Sequence, residues 1–217
     1  MEKNNIKRMI ITSIICLLPV CLSFVVYNDL PEKLVMQWNM ERNPNWYAPK
    51  IVGAFGLPIF LIVLKIIINL RTYNSPKKEN ISKVMQIFRI WFTPVLSIVI
   101  VPLFLLMNLG SEFPIKMTIF ILIGIVLVFS GNYLPKNRQN FIEGIRNAWT
   151  LNNPENWNKT QRLASILWII GGILFIILAF LPVKTITVVI AIITIMTMTL
   201  IAPIVYSFIL YTKEKTN

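Results

Sequence analysis

The sequence predicts an all-α membrane protein with six transmembrane helices, an ordered outer loop and a cytoplasmic amphipathic loop. Of its 217 residues, 56% are hydrophobic and 14% are charged, which is more apolar than a typical soluble domain. The apolar residues form blocks long enough to cross a bilayer as helices, without the polar faces that a soluble helical bundle would need. The blocks are Met9–Val26, Ile51–Leu70, Ile90–Leu109, Met117–Leu134, Leu163–Leu181 and Thr185–Tyr211.

The first block could also be the core of a cleaved signal peptide, because Lys7 and Arg8 precede it. No small-x-small cleavage site follows it, and Leu18-Pro19-Val20-Cys21 matches a lipoprotein site only loosely. We therefore expect a retained membrane helix, with cleavage as the alternative.

The distribution of lysine and arginine predicts the orientation. Fifteen lie at the two termini and in the connections after the second and fourth blocks, and five lie in the other connections. We therefore expect a multi-pass membrane protein with both termini in the cytoplasm. The net charge of +12 would then face anionic membrane lipids, so direct nucleic-acid binding is not needed to explain it.

Several residues inside the blocks predict particular structural features. Lys65 lies near the cytoplasmic end of the second block, where we expect its side chain to snorkel to the headgroups. Gly171 and Gly172 predict that another helix approaches the fifth block closely. Each proline inside a block removes a backbone hydrogen bond and favours a kink. These prolines are Pro19, Pro58, Pro94, Pro102 and Pro203.

The chain contains no histidine, which removes the commonest metal ligand and the commonest general base. None of its nine acidic residues lies inside an apolar block. The sequence therefore predicts neither a metal site nor a cofactor, and an enzyme is the least favoured class.

The first polar segment, residues 27–50, is expected on the outer side. Pro31, Pro44 and Pro49 prevent a continuous helix. Trp38 and Trp46 are placed like aromatic anchors at a membrane interface. Two interpretations remain open: a loop lying on the outer headgroups, or an ordered cap that receives a ligand or a peptide.

The second polar segment, residues 131–162, is called the signature segment here. Asn153-Pro154-Glu155 is typical of a helix start, and that helix is expected to continue into the fifth block. Before it, apolar residues between Phe141 and Trp149 recur at helical spacing, which predicts a short amphipathic helix, although Gly144 weakens this prediction. Such a helix would either anchor the loop to the membrane surface or form part of a functional surface.

Both polar segments carry motifs of a known family. Leu30-Pro31-Glu32, Trp38-Asn39, Pro44 and Lys50 fit the pattern of a domain of uncharacterised function that often precedes the second motif. The second motif resembles the signature of the SdpI family of bacterial toxin-immunity membrane proteins. Its matching residues are Gly131-Asn132-Tyr133-Leu134, Lys136, Asn140, Gly144-Ile145-Arg146, Trp149-Thr150-Leu151, Trp157, Lys159-Thr160 and Arg162-Leu163-Ala164.

The resemblance implies two regions. Residues 1–89 would form an N-terminal two-helix region with the outer loop 27–50. Residues 90–217 would form an SdpI-like four-helix region containing the signature segment.

The chain departs from the family pattern at several positions. Gln37 and Gln161 stand where the family has histidine, so a role that depends on titration of those histidines cannot operate here. Asn45 replaces an acidic residue, Arg42 a glycine and Gln139 a proline.

The resemblance implies immunity to a secreted, membrane-active peptide toxin on the outer side, by binding or exclusion. For the family's best-known member it also implies signalling, in which a transcriptional repressor is held at the membrane. A receptor for such a cytoplasmic regulator without an immunity role is the alternative, and a transporter subunit is less favoured.

Candidate functional residues follow from the two motifs. Those on the cytoplasmic side are Asn132, Lys136, Arg138, Asn140, Gly144, Arg146, Trp149, Thr150, Trp157, Lys159, Thr160 and Arg162. Those in the outer loop are Gln37, Trp38, Asn39, Asn45 and Trp46.

Overall fold

The computed structural model describes residues 3–39, 43–182 and 184–216, and long helices dominate this part of the chain. Six of them are long and apolar enough to span a membrane, which confirms the predicted all-α multi-pass fold. The helices are α1 (Lys3–Val26), α2 (Lys50–Asn74), α3 (Lys83–Asn108), α4 (Ile115–Tyr133), α5 (Ala148–Asn152), α6 (Pro154–Phe180), α7 (Thr185–Met196) and α8 (Ala202–Thr216). A π-helical turn, Thr197–Ile201, joins α7 to α8, and together they form the sixth span.

The connection between α1 and α2 folds into an antiparallel β-hairpin. Its strands are β1 (Lys33–Trp38) and β2 (Pro44–Pro49), with Leu34 opposite Ala48 and Gln37 opposite Trp46. Proline has no amide hydrogen to donate, which suits the two ends of β2. The described residues of the first polar segment, 27–39 and 43–50, are therefore ordered. Arg42, one of the positions where the chain departs from the family pattern, lies outside the described residues.

The residues group into two compact units, Met1–Asn74 with Gln86–Ile115 and Ser75–Met85 with Lys116–Asn217. In the first unit, Val101 and Phe104 of α3 share a buried core with Cys16 of α1 and Ala54 of α2. The third long helix, α3, thus packs with the two helices before it, and the division into residues 1–89 and 90–217 stays a prediction. In the second unit, Phe120 of α4 joins residues of α6 and α7 in a separate core.

Glycines allow the helices of the second unit to touch through their backbones. A Cβ atom at Gly172 would lie 2.6 Å from the carbonyl oxygen of Gly124, and one at Gly124 would lie 2.6 Å from that of Gly172. On another side of α6, a Cβ at Gly171 would lie 2.7 Å from the Thr199 side chain. The close approach predicted at Gly171 and Gly172 is confirmed, with α4 and the π-helical turn as the two neighbours.

Two prolines of the first unit release a carbonyl that a neighbouring helix then satisfies. Pro58 cannot donate to the carbonyl of Ala54, which instead accepts from the Ser23 hydroxyl at 2.7 Å. Pro94 likewise leaves the carbonyl of Ile90, which accepts from the Lys65 ammonium at 2.7 Å.

The second unit contains one further carbonyl that is released by a proline and satisfied by a side chain. Pro203 cannot donate to the carbonyl of Thr199, and the indole nitrogen of Trp168 donates to that oxygen at 2.8 Å. In all three cases a polar side chain from another helix replaces the hydrogen bond that the proline removes.

Lys65 does not snorkel to a membrane surface, so that expectation was wrong. Its side chain is only 1% exposed and turns into the first unit, where the released Ile90 carbonyl is its hydrogen-bond acceptor. The sequence could not indicate this, because the acceptor is created by Pro94 in a different helix.

Candidate functional site

A capping box fixes the start of α5 within the signature segment. The Asn147 side chain accepts a hydrogen bond from the Thr150 amide at 2.9 Å, and the Thr150 hydroxyl accepts one from the Asn147 amide at 3.0 Å. Reciprocal bonds of this kind mark the first residue of a helix. The helix therefore begins at Ala148.

The amphipathic helix predicted over residues 141–149 is not formed before residue 148, so the prediction was wrong for residues 141–147. The buried side chain of Asn140 accepts from the amides of Ile142 at 2.9 Å and Glu143 at 2.7 Å. It also donates to the carbonyl of Arg138 at 2.8 Å. These local bonds hold the backbone in a turn and compete with helix formation.

Gly144 and Gln161 fix the chain after that turn. Gly144 has a φ of +93°, a conformation that glycine adopts without a steric penalty. The Gln161 side chain, only 1% exposed, accepts from the Ile145 amide at 3.1 Å and donates to the Ile145 carbonyl at 2.9 Å. A Cβ atom at Gly144 would lie 2.5 Å from the Gln161 oxygen, so both conformation and space require glycine. Gln161 therefore forms a pair of hydrogen bonds to the backbone of Ile145 without any need for a titratable group.

The buried indole of Trp157 holds the start of the segment. Its nitrogen donates to the carbonyl of Asn137 at 3.1 Å, and the Asn137 side chain accepts from the Ser82 amide at 2.8 Å. The short connection before α3 is thereby attached to the signature segment within the second unit.

A second set of amide bonds attaches the segment to α8. Asn156 donates to the carbonyl of Ser207 at 2.9 Å and accepts from the Thr160 hydroxyl at 3.1 Å. Asn147 donates to the Ser207 hydroxyl at 2.7 Å. Trp149 completes this contact, since its ring lies 5.0 Å from that of Phe208.

Gln139, which stands where the family has proline, has acquired a structural role. Its side-chain nitrogen donates to the carbonyls of Thr150 and Leu151, both at 2.8 Å. These oxygens lie at the end of α5, where helix carbonyls lack an internal partner. Proline could not form either bond.

The predicted functional residues of the segment divide into three groups by exposure. Four are buried and hold the fold together: Asn140, Thr150, Trp157 and Thr160. Gly144 and Trp149 are partly exposed. The six on the surface are Asn132, Lys136, Arg138, Arg146, Lys159 and Arg162. Only the surface group and the exposed part of Trp149 are accessible to a partner.

Several of the surface cations already have partners. Arg146 donates to the Phe141 carbonyl at 2.6 Å, and Lys159 pairs with Glu155 at 2.6 Å. Arg138 and Arg162 form no side-chain hydrogen bond or ion pair within the described ranges. These two arginines are therefore the residues of the signature segment that are most available to an anionic partner.

Three sequence-predicted candidates of the β-hairpin face outward. Gln37 and Asn45 are exposed, and Trp46, opposite Gln37, is 58% exposed. Trp38 is partly buried, with its ring 6.1 Å from that of Phe104 in an edge-to-face contact. The Asn39 side chain accepts from the amide of Asn43 at 2.8 Å, which joins the end of β1 to the start of β2.

Asn108, which the sequence motifs did not single out, holds the hairpin on α3. Its side-chain oxygen accepts from the Val35 amide at 2.7 Å, and its nitrogen donates to the Val35 carbonyl at 3.3 Å. One side-chain amide thus pairs with the backbone of β1 as a further strand would. No local sequence signal joins two residues so far apart in the chain.

We expect Asn108→Ala to loosen the hairpin without unfolding the helices. Two hydrogen bonds of about 1 kcal/mol each would be lost, which raises local opening of β1 roughly tenfold or more. Hydrogen exchange at the Val35 amide measures this. Asn28→Ala is the control, because Asn28 is exposed and lies just after the end of α1. Equal exchange at the Val35 amide in both variants would contradict the prediction.

No group of three or more His, Cys, Asp or Glu residues that could hold a metal ion occurs among residues 3–39, 43–182 and 184–216. The side chains that converge in the signature segment are mainly amides, hydroxyls and indoles. They are suited to fixing a backbone and presenting cations around it.

Comparison with known proteins identifies two regions. Residues 136–207 match the SdpI/YfhL protein family, and residues 14–62 match a domain of unknown function, DUF1648. The chain is 28% identical over 173 residues to "Immunity protein SdpI" of Bacillus subtilis (strain 168), covering 77% of this chain and 81% of that protein. No solved structure matches the chain. The resemblance to the SdpI family is thus confirmed: the chain carries an SdpI/YfhL family region, preceded by a DUF1648 region that contains the β-hairpin.

Proposed function

We propose that this protein is a membrane immunity protein that protects its cell from a secreted, membrane-active peptide toxin. The observation that carries the proposal is the similarity over most of the chain to an immunity protein. It is supported by the family matches, which cover both the β-hairpin and most of the signature segment.

Protection would come from binding or excluding the toxin rather than from destroying it. The chain lacks histidine, and the exposed hairpin residues include amides and aromatics, which can bind a peptide without reacting with it. Trp46 is the strongest candidate contact, since a large exposed aromatic side chain is typical of a binding hot spot.

The excess of lysine and arginine at the termini and in the signature segment supports an orientation with both termini in the cytoplasm. In that orientation the hairpin would meet an arriving peptide, and the signature segment would face the cell interior.

The test is survival of a sensitive bacterium that expresses the protein in the presence of a toxic peptide of the class against which the SdpI family acts. We expect the wild type to protect, and Trp46→Ala to lower the tolerated peptide concentration about tenfold. Phe60→Ala is the matched control, because Phe60 is 60% exposed but lies in α2 rather than in the hairpin. Membrane levels of all variants are equalised by immunoblot.

Two outcomes would contradict parts of the proposal. If Trp46→Ala protects as well as Phe60→Ala, the hairpin does not receive the toxin. If the wild type gives no protection against any peptide of the class, the immunity role fails.

A second candidate function is a receptor that retains a cytoplasmic regulator at the membrane. The exposed side chains of Arg138 and Arg162, which have no partner among the described residues, favour it, because the buried bonds around them hold the segment rigid for a partner. Co-purification of a regulator by the wild type, lost in the double variant Arg138→Ala/Arg162→Ala and kept in Lys83→Ala, would support this role. Protection without any retained regulator would exclude it.

A further inference from the structure

A groove of about 330 Å³ opens in the first unit between the N-terminal halves of α1 and α3. Three of its lining residues belong to α1 and three to α3. They are Arg8, Ile11, Thr12, Ile87, Ile90 and Trp91.

The lining of the groove is apolar except at Arg8 and Thr12. The Thr12 hydroxyl is turned back to its own helix, where it donates to the carbonyl of Arg8 at 2.9 Å. Arg8 is the only charged lining residue, and its guanidinium forms no hydrogen bond or ion pair with the described residues. The groove thus offers one cation beside an apolar wall, which suits an amphiphile with an anionic head.

A second cation is buried close behind the wall. Ile90, whose side chain lines the groove, gives its carbonyl to the Lys65 ammonium at 2.7 Å. Lys65 has no acidic partner in the part of the chain that the structure describes. An uncompensated positive charge in a low-dielectric region attracts anions to the surface next to it.

The placement of the groove identifies the source of the anion. Its walls belong to two helices that are long and apolar enough to span a membrane, and Ile87, one of the lining residues, is 53% exposed. An acyl chain bound there would remain in the bilayer. Lysine and arginine cluster at these helix ends, where phospholipid headgroups are expected.

We propose that this groove is a binding site for an anionic phospholipid. The phosphate binds the Arg8 guanidinium, and one acyl chain lies along Ile11, Ile87 and Trp91. Lys65 is a positioning residue that raises the positive potential of the site without touching the lipid. This inference is independent of the proposed immunity function.

Native mass spectrometry of the full-length protein in detergent micelles, titrated with dioleoylphosphatidylglycerol, tests the site. We expect Arg8→Gln to weaken binding about tenfold, because a charge-assisted contact to phosphate is lost. Lys65→Met, which keeps the length of the side chain and removes its charge, is expected to weaken binding about threefold. Lys7→Gln, a neighbouring exposed lysine that does not line the groove, is the matched control and is expected to bind like the wild type.

Further measurements distinguish the possible ligands and check that each variant is folded. Dioleoylphosphatidylcholine is expected to bind weakly, and inorganic phosphate is expected not to displace the lipid. Ile87→Gln tests the apolar wall independently of Arg8 and is expected to weaken binding as well, with thermal unfolding confirming that each variant is folded. The proposal is overturned if Arg8→Gln and Ile87→Gln both bind like the wild type, if the two lipids bind equally, or if inorganic phosphate displaces the lipid.

Discussion

Gly172→Ala is expected to destabilise the second unit by about 1–3 kcal/mol, because the added methyl group overpacks a contact between two backbones. The new Cβ would lie 2.6 Å from the Gly124 carbonyl oxygen and 2.9 Å from the Val128 amide nitrogen. Backbone atoms cannot move aside as a flexible side chain can, so α4 and α6 would have to separate. Thermal unfolding of the purified protein in detergent measures the loss.

Gly56→Ala provides the matched control for this prediction. Gly56 also lies inside a membrane-spanning helix, but a Cβ there would meet only the Val52 side chain, at 3.7 Å. Alanine favours a helix over glycine by about 1 kcal/mol, so this variant is expected to be as stable as the wild type or slightly more stable. Equal unfolding temperatures for the two variants would show that the close backbone approach does not limit stability.

Gln161→Leu is expected to cost about 1–3 kcal/mol and to release the signature segment. It removes the acceptor of the buried Ile145 amide, and an unsatisfied buried group costs about 1–3 kcal/mol. It also removes one of two donors to the Ile145 carbonyl, which keeps its bond from the Thr150 hydroxyl at 3.0 Å. Thermal unfolding and limited proteolysis between residues 137 and 147 report the two effects. Asn158→Leu makes a similar change at an exposed position of the same helix and is expected to leave both measurements unchanged.

Gln161→His connects this prediction to the family pattern. An imidazole carries its two nitrogens on different sides of the ring, whereas the Gln161 amide presents a donor and an acceptor side by side. We therefore expect histidine to retain one of the two bonds and to give a stability between that of the wild type and that of Gln161→Leu. A Gln161→Leu protein that resists heat and protease like Asn158→Leu would contradict the role assigned to Gln161.

The parts of the fold that the sequence predicted are those that depend on local composition. A long apolar run can satisfy its backbone in lipid only as a helix, so the six spans could be identified directly. The start of α6 at Pro154 was equally predictable, because Asn153 accepts from the amides of Glu155 and Asn156, as an N-cap should.

The parts that the sequence did not predict depend on contacts between distant residues. The spacing of Phe141 and Trp149 was helical, but the Asn140 side chain and the bond from Gln161 decided the local backbone. Asn108 meets Val35 only after the chain has folded back on itself. The motifs therefore located the signature segment, while burial was needed to separate its scaffold residues from its accessible ones.

The prolines suggest an order of assembly during synthesis. In each of the three cases the donor lies in a helix earlier in the chain than the carbonyl it satisfies: Ser23 before Ala54, Lys65 before Ile90 and Trp168 before Thr199. A chain emerges from the ribosome with its N-terminal part first, so the donor helix can be in the bilayer before the proline-containing helix arrives. In each case a polar side chain of an earlier helix is then available to a carbonyl that the later helix cannot satisfy itself. Moving the donors behind their prolines in the chain would leave that oxygen exposed to lipid during insertion.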